Sequence, residues 1–170
     1  DANTEIAGFR YDSALVLLRL KDSVKLRTGE DADYLTGRPY LFSWHPAGEE
    51  WRQIVVPAGL ITDLTSVPRL LRFIIGRVGP WLEAAILHDY LYIAWQDVDG
   101  KTPTAADREF ADNMMRAAMR EAGVSRIATW AIHAMVRLFG RSTYDAPNAD
   151  RYVDLDDNAV RRQIAPRLPR

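Results

Sequence analysis

Residues 84–92 have the sequence AAILHDYLY, an apolar run with an adjacent histidine and aspartate at its centre. Pro80 precedes the run, and proline suits the first turn of a helix because the donor it lacks is not needed there. A turn signal, Asp-Val-Asp-Gly, follows at residues 97–100. We therefore predict a helix from Pro80 to about Gln96 that carries the His-Asp pair into packed structure.

The segments around this helix predict the rest of the fold. Apolar or alternating runs at 14–20, 24–27, 40–44 and 51–56 predict strands, and the short turns between them favour antiparallel pairing. A short helix is predicted at 69–75, before the central helix. Further along the chain, Thr104 and Ser125 are good N-caps for helices at 105–121 and 126–140. The predicted class is α+β, a small N-terminal antiparallel sheet followed by a bundle of three main helices.

One globular domain is expected over residues 1–140, with the sheet at 10–56, a loop at 57–68 and helices at 69–140. Residues 141–170 contain three prolines and little periodicity, so they predict an extended C-terminal arm. We expect this arm to gain little from packing on its own domain. It is a candidate for contact with a neighbouring subunit.

Composition narrows the class of protein. The chain is 48% apolar and 26% charged, which is typical of a globular domain, and its net charge of −1 gives no global attraction to nucleic acid. Only the arginines of the C-terminal arm favour such contact. Cysteine is absent, so disulfides and thiolate chemistry are excluded. No apolar run approaches the roughly 20 residues of a membrane-spanning helix.

Helical spacing predicts the surroundings of the His-Asp pair. His88 shares a face with Trp81 and Tyr92, so its imidazole points toward packed structure. Asp89 lies beside apolar residues and requires hydrogen bonds or a cation. The loop at 62–66, which contains Asp63, is the expected source of such partners.

Asp107 belongs to the next predicted helix and aligns with the apolar residues Phe110 and Met114. An inward aspartate opposite an inward histidine would fix the tautomer of the imidazole and support it as a base. Thr104 and Asp107 also have the spacing of a capping box, in which both side chains serve the start of the helix. Both interpretations of Asp107 stay open.

The motifs at 56–68, 84–92 and 106–110 resemble those of DUF1353, a phage-associated family of unknown function. Its pattern is VPAGFxTDxASVPR, then HDYLY, then an Ala-Asp pair; here Leu60 and Thr65 replace the usual Phe and Ala. The resemblance implies occurrence in phages or prophages, and hence in the host cytoplasm or the virion. It implies no particular activity.

Residues 88–92 are also similar to the His-Asp-x-x-Tyr signature of phospholipases A2. That resemblance implies that His88 activates water, that Asp89 binds Ca²⁺, and that a second aspartate, here Asp107, orients the histidine with Tyr92. Because Ca²⁺ prefers several oxygen ligands, Asp63 and loop carbonyls would complete its shell. The implied activity is metal-dependent hydrolysis of an ester or amide.

The alternative is a phage virion structural or assembly protein in which these polar residues form a satisfied buried network. Such networks can specify a core without doing chemistry. Its partners would be other phage structural proteins, or a second copy bound through the C-terminal arm.

Overall fold

The computed structural model describes residues 5–19, 34–62, 79–147, 152–158, 160 and 161. Within these ranges the chain has an N-terminal region of strands followed by helices, so the α+β prediction is confirmed. The predicted strand at 24–27 and the predicted helix at 69–75 lie outside the described residues.

The strands form two antiparallel sheets of three strands each. In chain order the strands are β1 (Ile6–Tyr11), β2 (Leu17–Leu18), β3 (Tyr34–Thr36), β4 (Tyr40–Pro46), β5 (Arg52–Val56) and β6 (Ile61–Thr62). The first sheet has the order β1-β4-β5 and the second β2-β3-β6. The sequence prediction missed β1, because Phe9 is the only residue of this strand that is buried, so the apolar pattern of the strand is weak.

The helices follow the predicted limits closely. They are α1 (Leu82–Ile93), which continues as a 3-10 turn (Ala94–Asp97), α2 (Ala105–Glu121), α3 (Arg126–Phe139) and the short α4 (Arg141–Asp145). The hydroxyl of Thr104 accepts a hydrogen bond from the amide of Asp107, and that of Ser125 accepts one from Ala128, so both predicted N-caps are formed. No helix within the described ranges is long and apolar enough to cross a membrane.

The first sheet packs against α2, and its Tyr40 donates a hydrogen bond to Glu83 of α1 at 2.5 Å. Tyr11 donates a hydrogen bond to the carbonyl oxygen of Ala118 at 2.7 Å, and the Trp44 ring meets the Phe110 ring edge-on at 5.0 Å between centroids. Burial raises the pKa of Tyr11, and so do the negative charges of Glu83 and Glu121, so this hydroxyl keeps its proton at neutral pH. The packing fixes two helices, α1 and α2, side by side.

The C-terminal segment packs against its own domain. The amide of Val153 donates to the carbonyl of Gly59 at 2.8 Å, and Leu60 forms a bridge with Tyr152. Val160 is buried in a small second core with Leu35. The expectation of an extended arm that gains little from packing on its own domain is therefore wrong for the described residues. Residues 141–145 form α4, whose Tyr144 is buried, and Val160 packs against Leu35 of β3.

Candidate functional site

Asp112 connects α1 and α2 through one carboxylate oxygen. Its Oδ1 lies 2.9 Å from Nε2 of His88 and accepts a hydrogen bond from the hydroxyl of Tyr92 at 2.7 Å. The Asp112 side chain is completely buried, and that of His88 keeps 9% of its surface exposed. Three polar side chains thus form one network between two helices.

The spacing along α1 explains why His88 and Tyr92 reach the same oxygen. Residues four apart on a helix lie on one face, and the two rings are 3.9 Å apart between centroids. Burial raises the pKa of Tyr92, and the hydrogen bond and charge of Asp112 raise it further. The phenol therefore stays protonated and acts as the donor.

The geometry assigns different roles to the two imidazole nitrogens of His88. With the Asp112 carboxylate as acceptor, Nε2 carries the hydrogen, so Nδ1 of a neutral ring has the lone pair. Nδ1 forms no hydrogen bond to any residue in the described part of the chain. This tautomer is the one required of a histidine that accepts a proton at Nδ1.

The second oxygen of Asp112 faces a cation. Oδ2 lies 3.7 Å from a guanidinium nitrogen of Arg137 on α3, too far for a hydrogen bond, and it has no hydrogen-bond partner among the described residues. Arg137 also lies 3.7 Å from Glu109. A buried carboxylate next to a positive charge costs less to keep ionised, so α3 contributes to the site through Arg137.

His133 lies beside this network on α3. Burial lowers its pKa, and the charges of Arg116, Arg137 and His88 lower it further, while Asp112 acts in the opposite direction. Its Nε2 is buried without a hydrogen-bond partner within the described ranges. The neutral ring is therefore favoured at this position.

Asp89 points away from the Asp112 network. Its Oδ2 accepts a hydrogen bond from the hydroxyl of Thr62 at 2.6 Å. The prediction that the loop beginning at Thr62 supplies a partner to Asp89 is confirmed for this residue. Asp63, the predicted metal ligand, lies outside the described residues.

Asp107 does not lie beside His88, so the predicted geometry is wrong for this residue. Its carboxylate accepts a hydrogen bond from Thr104 and lies 3.2 Å from the ammonium nitrogen of Lys101, with 40% of the side chain exposed. Asp107 is in the first turn of α2, five residues before Asp112. The capping interpretation describes its contacts, and Asp112 occupies the place beside the histidine.

Two signals in the sequence point to Asp112. Asp112 lies three residues before Met115 and seven before Met119, and both methionines are buried. Asp112 is therefore a carboxylate on an apolar helix face, the situation that was predicted for Asp89. Residues 111–112 are also an Ala-Asp pair, like residues 106–107. The family pattern therefore had two possible matches on this helix.

These features define an α+β protein with a buried His-Asp-Tyr network between two adjacent helices. The chain belongs to the family described as Protein of unknown function (DUF1353), whose model matches residues 42–136. That range includes Thr62, both residues of the His-Asp pair, and Asp112. No curated protein and no solved structure matches the chain significantly.

Proposed function

We propose that this protein, whose motifs resemble those of phage-associated proteins, is a hydrolase with His88 as its general base. The observation that carries the proposal is the hydrogen bonding of Asp112 Oδ1 to both His88 Nε2 and the Tyr92 hydroxyl. A carboxylate that fixes one imidazole nitrogen prepares the other to accept a proton. Tyr92 helps to keep the carboxylate oriented, because its hydroxyl donates to Asp112 Oδ1.

The proposed reaction is the attack of water on an ester or amide. Nδ1 of His88 takes a proton from water while the water oxygen bonds to the carbonyl carbon, and positive charge develops on the ring. Asp112 stabilises that charge through Nε2. The bond to the leaving group then breaks, and the imidazolium returns the proton to the departing oxygen or nitrogen.

We also propose that Asp89 and Asp63 bind a divalent cation such as Ca²⁺. This part of the proposal is tested separately from the role of His88. Ca²⁺ takes about six to eight oxygen ligands, and no group of three or more acidic or histidine side chains suited to a metal occurs among the described residues. We therefore derive no catalytic step through a metal. If the ion binds, adding CaCl₂ raises the unfolding temperature of the parent but not of the Asp89→Asn variant.

The alternative role, a structural or assembly protein, finds less support in the described fold. Its main argument was a C-terminal arm available to a neighbouring subunit, whereas Val153 and Val160 pack on their own domain. The buried network remains compatible with a purely structural role. An experiment must therefore separate activity from stability.

The decisive variant is His88→Gln, assayed with a panel of p-nitrophenyl esters and a p-nitroanilide. Loss of a general base is expected to lower kcat/KM by about 100-fold or more. His45→Gln is the matched control, because His45 lies on β4 and not in the Asp112 network. Its Nδ1 lies 2.9 Å from the carbonyl oxygen of Pro46. The control is expected to keep the parent rate.

Thermal unfolding of the same proteins completes the test. Turnover that persists in His88→Gln would overturn the proposal. A parent that hydrolyses none of these substrates, with a His88→Gln variant that unfolds at a much lower temperature, would also overturn it and favour the structural role.

A further inference from the structure

α3 exposes a stripe of apolar side chains that no described element covers. Ile127, Trp130 and Leu138 are 82%, 70% and 73% exposed, and Ala131 and Ala134 lie between them at helical spacing. These five positions follow the i, i+3, i+4, i+7, i+11 pattern of one helix face. We call this face the α3 stripe.

The stripe is distinct from the face that anchors α3 to the protein. Thr129 and Ile132 are 2% and 3% exposed and lie on the opposite side of the helix. Large apolar side chains grouped on one exposed face mark an interaction surface, whereas scattered ones do not. The stripe is therefore additional to what the core of the domain requires.

Arginines outnumber acidic residues in the part of the sequence that contains the stripe. Residues 116–145 contain five arginines, at 116, 120, 126, 137 and 141, and two acidic residues, Glu121 and Asp145, of which Asp145 lies 3.4 Å from Arg141. Within α3, Arg126 is exposed, while Arg137 is near Glu109 and Asp112. The whole chain carries a net charge of −1, so this basic region is a local feature that favours a negatively charged partner.

We propose that the α3 stripe docks in the plane of an anionic phospholipid surface. A helix with tryptophan and aliphatic residues on one face and arginines beside it binds at the boundary between headgroups and acyl chains. The stripe contains a single hydrogen-bonding side chain, the indole of Trp130. A protein partner would usually be met by more polar groups of both signs.

The charges disfavour a second copy of the chain as the occupant. Two α3 helices packed antiparallel through their stripes would bring Arg126 of one copy near Arg137 of the other. Like charges at this distance oppose the contact, although Glu109 offsets part of the repulsion. A membrane that contains acidic lipid has no such conflict.

The test is co-sedimentation of the full chain with phosphatidylcholine vesicles, with and without phosphatidylglycerol. We expect binding only to the anionic vesicles, and a loss of about tenfold or more in partitioning for the Ile127→Ser, Leu138→Ser double variant. Arg126→Gln is expected to weaken binding about fivefold, an effect that added salt removes. Val98→Ser is the matched control, since Val98 is 56% exposed outside the stripe.

Circular dichroism checks that the double variant keeps the parent fold, as expected for exposed positions. Equal binding of the double variant and of Val98→Ser would overturn the proposal, as would absence of binding to anionic vesicles. A dimer in sedimentation that the double variant abolishes would assign the stripe to a second copy. Binding of polyglutamate in place of vesicles, lost in the same variant, would assign it to an acidic protein.

Discussion

Asp112 has three charged or polar neighbours and no exposure to water. Oδ1 accepts from His88 and Tyr92, and Oδ2 faces Arg137. A buried carboxylate arranged in this way is stable only while its partners remain, because losing one of them leaves an uncompensated group in the core. Asp107, in the same helix, has contacts that water can replace.

Replacing each of these aspartates by asparagine gives a matched pair of variants. Asp112→Asn is expected to lower the free energy of unfolding by about 2–4 kcal/mol, since it removes the negative charge that Arg137 and His88 face. Asp107→Asn is expected to cost less than about 1 kcal/mol, because its partners are exposed. Urea unfolding measures both, and equal losses would contradict the assignment of Asp112 as the buried partner.

Glycine is required at position 140 because the Tyr92 hydroxyl and the Val136 carbonyl oxygen lie close to its Cα. Its φ is −74°, which any residue adopts, but a Cβ at this position would lie 2.6 Å from the carbonyl oxygen of Val136 and closer still to the Tyr92 hydroxyl. The absence of a side chain therefore leaves room for the hydroxyl that reaches Asp112. Gly140 is a positioning residue for Tyr92.

A double-mutant cycle tests this role. Gly140→Ala is expected to destabilise the parent by about 1–3 kcal/mol through overpacking. In a Tyr92→Phe background the hydroxyl is gone, so the same change is expected to cost clearly less. Additive losses in urea unfolding would show that Gly140 does not act through Tyr92.

Single residues also show where sequence reasoning succeeded and where it failed. The burial of His88 and Tyr92 and the Thr62 contact of Asp89 were predictable, because helical spacing and the need of a buried carboxylate for donors are local rules. The sequence did not predict which of Asp107 and Asp112 lies beside His88, because both aspartates follow an alanine and both align with apolar residues. The capping-box spacing from Thr104 distinguishes Asp107, but it did not exclude a place for Asp107 beside His88.

At the scale of elements, α2 shows why some boundaries are predictable. Thr104 provides the N-cap, and Gly123, with φ of +77°, follows the last turn, so the observed limits equal the predicted ones. The short strands β2, β3 and β6 depend on pairing with distant segments instead. Two- and three-residue strands contain too few positions for a pattern, so the second sheet could not be predicted.

The contact between Gly59 and the C-terminal segment gives an element-scale prediction. Gly59 has φ of +81°, and a Cβ there would collide with the carbonyl oxygen of Val153. Gly59→Ala is expected to destabilise the protein by about 2–4 kcal/mol and to increase proteolysis near residues 152–161.

Gly100→Ala is the matched control for this change. Gly100 has a similar φ of +73° but no atom within 4 Å of the position of a Cβ. The loss of stability in Gly100→Ala therefore measures backbone strain alone. The additional loss of stability in Gly59→Ala measures the contact with Val153. If the two variants unfold alike and are cleaved alike, the C-terminal segment does not depend on this turn.

For the whole molecule, the lowered pKa of His133 predicts how stability responds to acid. The unfolded chain takes up a proton at this residue near pH 6.5, whereas the folded chain does so only at lower pH because of burial and of Arg116 and Arg137. Between those values the unfolded state binds more protons. The contribution of His133 therefore lowers stability as the pH falls below about 6.5.

Urea unfolding at a series of pH values from about 7.5 to about 5 measures this effect. The parent is expected to lose more stability over this range than His133→Gln, whose side chain does not titrate. Parallel profiles for the two proteins would show that His133 does not contribute to the acid sensitivity.

The burial of Val160 against Leu35 has a consequence for the order of folding. These residues are 125 positions apart in the sequence (160 − 35), so their contact closes a long loop, and contacts of this kind form late. During synthesis, α1, α2 and the first sheet can assemble while residues 152–161 are still inside the ribosome. The second sheet, which includes Thr62, can complete its packing only after residues 152–161 have left the ribosome.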